Sequence, residues 1–234
     1  MKTYKLLAAD TSAKTATVAL FENETLIAEY TQNIGLTHSE GFLPLLETLL
    51  NMTGRDISEI DYFAVTNGPG SFTGLRIGVA TVKGLAHAHN KPLVEISTLD
   101  ALAENIPDFS GYVCPMLDAR RQEVYTTVYH NGVKILEDTP LSLTELFEFL
   151  KSKRGKVMFL GDGAENYRDI IRKALPKKAV FAPPHLMLQK ASSVGVSAMK
   201  QITLGNTIPY TEVCIRYLKA SQPEQQMLAK LKKQ

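Results

Sequence analysis

The order of elements along the chain predicts an α/β protein of two similar lobes, each strand-strand-strand-helix-strand-helix-strand-helix (βββαβαβα). Three observations predict it. Short apolar runs alternate with helix-length amphipathic stretches, the pattern of sheets flanked by helices. The order starts again after a break at Asn105-Ile106-Pro107-Asp108. Each half carries a glycine turn between an apolar strand and a helix, Gly68-Pro69-Gly70 and Gly161-Asp162-Gly163. Self-similar order without repeated sequence is the mark of an old duplication.

In the first half, residues 5–10, 15–21 and 25–30 read as a three-stranded meander with Asp10 at its first turn. Thr37-His38-Ser39-Glu40 has the spacing of a capping box. The helix it opens, 38–52, stops at Gly54 and carries apolar residues on more than one stripe, so it has area for a second contact face. Pro44 is tolerated near its first turn. A strand at 62–66 runs into the glycine turn and then a helix at 75–90, rich in small residues. Interior glycines cost about 1 kcal/mol each against alanine, and close approach of another backbone is the usual compensation. That backbone belongs either to the chain's own sheet or to a partner's helix. A strand at 92–96 follows, and Ser97 begins a short capped helix.

The second half repeats the order. Strands are expected at 112–118, 123–130 and 133–136, with Asn131-Gly132 as a strong hairpin turn. A helix with Leu143, Leu146, Phe147 and Leu150 comes next, then a strand at 157–160 and the second glycine turn. A helix through Ile170, Ile171 and Leu175, a short strand at 180–182 and a helix capped by Ser192 and ended by Gly205 complete it. The lobes are thus 1–105 and 106–219, with a Gln- and Lys-rich tail at 220–234. Two such lobes, with an acidic residue in the first hairpin, describe the actin-like, sugar-kinase-like architecture. In that architecture ATP lies in the cleft with its phosphates toward the two hairpins.

The composition is that of an ordinary globular protein: 234 residues, 44% hydrophobic, 21% charged, formal net charge +2. So weak a charge argues against strong binding of nucleic acid by the chain alone. The longest apolar runs are too short to cross a bilayer. Cys114 and Cys214 lie in apolar runs without metal-ligand spacing and read as reduced, buried thiols of a cytoplasmic protein.

The candidate chemistry is sparse. Strand, glycine turn and helix aim backbone N–H groups at an anion, but they are also simply a tight turn. The spacing of Gly68, Gly70 and Gly74 fits neither the phosphate-loop nor the dinucleotide pattern. Asp10-Thr11-Ser12 stands where the fold keeps its first phosphate turn, with threonine where a glycine would let phosphate approach. His38 reads as a capping or surface residue, and His87 and His89 are two apart on a helix, pointing to different faces. Arg120-Arg121 after Asp118 could meet phosphate or lie in a solvated turn. No metal site and no serine-hydrolase elbow is found.

The stretch from Asn67 to Gly78, NGPGSFTGLRIG, resembles the signature of the TsaB (YeaZ) family. Supporting pieces run along the chain: Asp10-Thr11-Ser12, His38-Ser39-Glu40, Ser97 to Leu102, Asp118 to Tyr125, Gly161-Asp162-Gly163, and Tyr217-Leu218-Lys219. The resemblance covers residues 1–219. It implies an actin-like fold and a part in making threonylcarbamoyladenosine, next to the tRNA anticodon. It further implies a non-catalytic scaffold that stabilises the transferase TsaD and lets it assemble with TsaE, in the cytoplasm and off the membrane, with tRNA met only within that complex. ATP or ADP is expected only in the assembly with TsaD and TsaE.

The alternative is an ATP-binding phosphotransferase or ATPase of the same fold. Against it, Thr98 and Leu102 stand where TsaD-like proteins carry their metal-binding histidines, and neither replaces imidazole. No metal and no peptidase activity is therefore expected. The resemblance places the TsaD and self-pairing face on the helices 38–52 and 75–90. The residues assigned to it are Phe42, Leu45, Leu46 and Leu49 on the first helix and Leu75, Gly78, Val79, Val82 and Ala86 on the second. Burial there would contribute about 25 cal/mol per Å² before association costs. A vestigial nucleotide cleft would comprise Asp10, Thr11, Ser12, Gly68, Gly70, Gly161 and Gly163.

Overall fold

A computed structural model describes residues 3–219. The tail expected at 220–234 lies outside them. Two five-stranded mixed sheets repeat one topology. The first comprises β1 (Lys5–Asp10), β2 (Ala16–Glu22), β3 (Thr25–Gln32), β4 (Tyr62–Gly68) and β5 (Leu93–Ser97), in the order β3-β2-β1-β4-β5. The second comprises β6 (Tyr112–Asp118), β7 (Glu123–His130), β8 (Val133–Ser142), β9 (Val157–Leu160) and β10 (Ala179–Phe181), in the equivalent order β8-β7-β6-β9-β10. In each the first three strands pair antiparallel and the last two join in parallel. The central strands β1 and β4 are buried on both faces, which is why they read as continuous apolar runs.

The helices α1 (His38–Thr53) and α2 (Phe72–Ala88) cover one face of the first sheet. The Thr37 N–H donates to the Glu40 carboxylate at 3.2 Å, and Gly54 closes α1 in the left-handed region at φ 63°. The Ser71 hydroxyl accepts from the Gly74 N–H at 3.2 Å, so α2 starts two residues before its first glycine. Beyond the short α3 (Thr98–Ala103), α4 (Leu143–Lys151) packs on the second sheet. The expected single helix after the second glycine turn is two, α5 (Asp162–Asn166) and α6 (Arg168–Ala174), divided at Tyr167. β8 runs to Ser142, well past the expected 136, because it follows β7 along its whole length.

The last helix, α7 (Ala191–Thr203), corrects the division at residue 105. It lies on the open face of the first sheet, where Val194 and Ala198 pack with Leu6, Ala8 and Phe21. Ser192 is not its cap. Glu29 of β3 accepts from the Ser192 N–H and hydroxyl, each at 2.8 Å, and pairs with Lys190 at 2.7 Å. The chain then stays with the first lobe: Ile208 bridges to Leu93, and the Arg216 N–H donates to the Asn67 carbonyl at 2.8 Å. In exchange, Leu99 and Leu102 of α3 enter the core of the second sheet beside Met116 and Phe159. The boundary separates the sheets but not their helical cover.

The residues assigned to a partner face are corrected as well. Phe42, Leu45, Leu46, Leu49, Val79, Val82 and Ala86 are all buried in the core between the two helices and their own sheet, and Leu75 is buried as well, none of them more than 6% exposed. Gly78 is buried too, and a Cβ there would overlap the Thr11 hydroxyl. The physical reason is that a helix resting on a sheet commits its widest apolar stripe inward. What faces out is the second stripe: Leu43 at 47% and Met52 at 72% exposure on α1, with Ala80 and Gly84 exposed on α2. Cys214 is exposed rather than buried, whereas Cys114 is enclosed and burial pushes its thiol up to about 12.

Candidate functional site

The two lobes face each other across a cleft of about 710 Å³, walled by the β1–β2 turn, the β4–α2 turn, the β6–β7 turn, the start of α5 and residues 216–219. Of the residues assigned to a nucleotide cleft, Ser12 and Gly70 line it. Asp10 and Thr11 lie beneath the surface, at 0% and 2% exposure. The glycines are committed to the protein's own backbone. A Cβ on Gly68 would overlap the Arg216 carbonyl oxygen, on Gly70 that of Ser12, and on Gly161 that of Met116, while Gly163 rests against Met116 and Leu117.

The first turn is closed around α2. The Ser71 N–H donates to the Ser12 carbonyl at 2.6 Å, the Thr11 hydroxyl to the Gly74 carbonyl at 2.8 Å, and the Ser12 N–H to Asp10 Oδ1 at 2.7 Å. His38 adds a bracket: its Nε2 donates to the Ala13 carbonyl at 2.7 Å. These donors are spent inside the protein, which leaves the Ser12 hydroxyl as a buried group of the turn without a partner among the described residues. Burial pushes the Asp10 carboxyl up, partly offset by the Ser12 and Thr66 hydroxyls.

The second lobe's turn has a different construction. Asp118 is its hub, accepting from the Arg120 N–H at 2.8 Å, the Tyr167 hydroxyl at 2.9 Å and Asn166 Nδ2 at 2.9 Å. Burial raises the neighbouring Asp162 carboxyl, which accepts from the Asp118 N–H at 3.1 Å. Arg120, Arg121 and Gln122 follow in the left-handed region, at φ 65°, 54° and 61°. Of these residues the arginine pair after Asp118 is the one expected from the sequence to meet phosphate or lie in a solvated turn. Lys14, Tyr217 and Lys219 carry no sequence signal as parts of one cleft, because Lys14 lies about 200 positions from the other two.

The positions compared with the histidine pair are inside the core: Thr98 is 0% and Leu102 1% exposed. Among the described residues, no three of His, Cys, Asp and Glu converge at metal-ligand geometry. No helix of the described residues is long and apolar enough to cross a membrane.

The comparisons agree on one family. Residues 26–221 match the family model described as TsaD, tRNA N6-adenosine threonylcarbamoyltransferase. The tRNA threonylcarbamoyladenosine biosynthesis protein TsaB of Bacillus subtilis is 38% identical over 180 residues, 74% of this chain and 77% of that protein. A Pseudomonas aeruginosa structure described as similar to peptidase YeaZ superposes with a TM-score of 0.75 at 26% identity, covering 92% of this chain and all of that one. The inorganic polyphosphate/ATP-glucomannokinase of an Arthrobacter strain shares the fold alone, with a TM-score of 0.52 at 11% identity. A matched motif, a duplicated topology and relatives that span most of the chain converge: the protein belongs to the TsaB (YeaZ) family.

Proposed function

We propose that this chain serves in tRNA threonylcarbamoyladenosine biosynthesis as a non-catalytic subunit that binds and stabilises TsaD and lets it assemble with TsaE. The observation that carries the reading is the first turn. The fold's usual place for phosphate is occupied by the protein's own contacts between Ser12, Ser71, Thr11 and Gly74. A lobe sealed in this way suits a scaffold better than a phosphotransferase. The outward stripes of α1 and α2 form the partner surface: Leu43 and Met52 supply apolar area, and Ala80 and Gly84 allow close helix approach. The same surface serves self-pairing, so homodimer and heterodimer compete for it. Nucleotide enters only with TsaD and TsaE.

The test is solution mass and co-purification of the chain alone and mixed with TsaD. A one-to-one complex that replaces any self-dimer is expected. Ala80→Arg and Gly84→Arg should abolish both assemblies without lowering the urea midpoint. Hydrolysis of ATP by the chain alone, or indifference to TsaD, would overturn the reading.

A further inference from the structure

The cleft mouth collects cations that the fold does not use. Lys14 comes from the β1–β2 turn and Arg120 and Arg121 from the β6–β7 turn, and all three are exposed. Among the described residues none of the three forms an ion pair. The carboxylates on the same wall are engaged: Asp118 holds three donors, Asp162 accepts a backbone N–H, and Glu123 pairs with Lys219 at 2.5 Å. The arginines are presented by a left-handed backbone that L residues adopt at a cost. That backbone is held by Asp118 and by the Leu143 N–H donating to the Gln122 carbonyl at 3.0 Å.

Aromatic surface adjoins these charges. Phe72 and Tyr217 also line the cleft and stack with ring centres 4.7 Å apart. The Arg76 guanidinium lies 3.8 Å from the Phe72 ring centre and donates to the Tyr217 hydroxyl at 3.0 Å, which fixes the pair. Tyr217 keeps 40% of its surface exposed. Exposed cations in one cleft with a fixed, partly exposed aromatic side chain match a chain of phosphates carrying stackable bases. A protein partner would need a matching acidic face but no ring. A bare polyphosphate would leave the stack without a role.

We infer that the mouth of this cleft binds unpaired RNA, with phosphates against Lys14, Arg120 and Arg121 and a base on Tyr217. This rests on the reading that the chain serves in tRNA modification, and it identifies the surface that the RNA touches. The contact is weak alone, as three phosphate contacts imply, and adds to whatever a partner supplies.

The test is fluorescence anisotropy of a labelled, unmodified tRNA transcript with the full chain, across a salt series starting near 50 mM. The double variant R120E/R121E should weaken binding at least tenfold and reduce the slope of log K against log salt by about 1.4, at ~0.7 per single-strand phosphate. K14E, on the other lobe, should act in the same direction and keeps the test open if the arginine turn rearranges. Tyr217→Ala should weaken binding with the slope unchanged. K173E, an exposed charge on α6 outside the cleft, should change nothing. The inference fails if wild type shows no saturable binding, if K173E weakens binding as much as R120E/R121E, or if inorganic tripolyphosphate displaces the transcript while Tyr217→Ala has no effect. The two readings fail separately. Full-rate modification with R120E/R121E in a reconstituted system would refute the RNA surface alone. Modification that proceeds without this chain would refute the scaffold role alone.

Discussion

Two glycines on α2 should respond to the same substitution with opposite signs. Gly74 is buried, and a Cβ there would overlap the Thr11 carbonyl oxygen. For alanine to fit, the β1–β2 turn must retreat from α2 and weaken two bonds that hold it, Thr11 hydroxyl to Gly74 carbonyl at 2.8 Å and Ser71 N–H to Ser12 carbonyl at 2.6 Å. Overpacking costs about 1–3 kcal/mol, and loosening a buried hydrogen bond costs about 1–3 kcal/mol. The better helix propensity of alanine returns less than about 1 kcal/mol in a first turn. The net for Gly74→Ala is a loss of about 2–4 kcal/mol, a large part of the ~5–15 kcal/mol typical of a domain. Gly84 is exposed and has nothing within 4 Å of a Cβ, so Gly84→Ala should gain about 0.5–1 kcal/mol. Urea unfolding of both variants and wild type at equal slope, at a concentration where the chain is monomeric, measures the difference. Equal effects, or a Gly74→Ala loss below about 0.5 kcal/mol, would refute the claim that the turn is sealed against α2.

Other outcomes follow from the same contacts. Burial raises the Asp10 carboxyl above its ordinary 3.8, so the folded state holds that proton more tightly than the unfolded chain, and stability falls as pH rises above the ordinary value. Asp10→Asn removes this loss. The urea midpoint of D10N relative to wild type should therefore rise between about pH 4 and pH 7, and a pH-independent difference would contradict it. Asp138 is fully buried between the Ser97 hydroxyl at 2.5 Å, Lys134 at 3.0 Å and Arg216 at 3.7 Å. Asp138→Ala should cost about 1–3 kcal/mol and speed amide exchange around Ser97 and Lys134, because it removes the acceptor of the Ser97 hydroxyl and one of the two carboxylates on Lys134, which keeps Asp100 at 2.5 Å. A thiol reagent should modify one cysteine per native chain, Cys214, and both after denaturation. Rapid native labelling of Cys114 would mean that the second sheet opens far more readily than its enclosed thiol implies.

The sequence by itself determined the order of elements, the duplicated lobes, the caps at Thr37 and Ser97, the stop at Gly54 and the family motif at Asn67–Gly78. These depend on neighbours a few residues apart, through strand and helix periods and turn chemistry. Tertiary structure decided the rest. Two apolar stripes on α1 carry no local sign of which one meets the sheet, so Phe42 and Leu46 were assigned outward until the sheet claimed them. Small residues on α2 announced a close approach without naming the partner, and Thr11, sixty-odd positions earlier, proved to be it. The crossing of α7 to the first sheet depends on Glu29 and Thr17 meeting its N-terminus, contacts more than 160 positions apart that no window along the chain contains. The cleft is legible only after folding for the same reason: Lys14, Arg120 and Tyr217 line one cleft because the two sheets repeat one topology and set their first hairpins face to face.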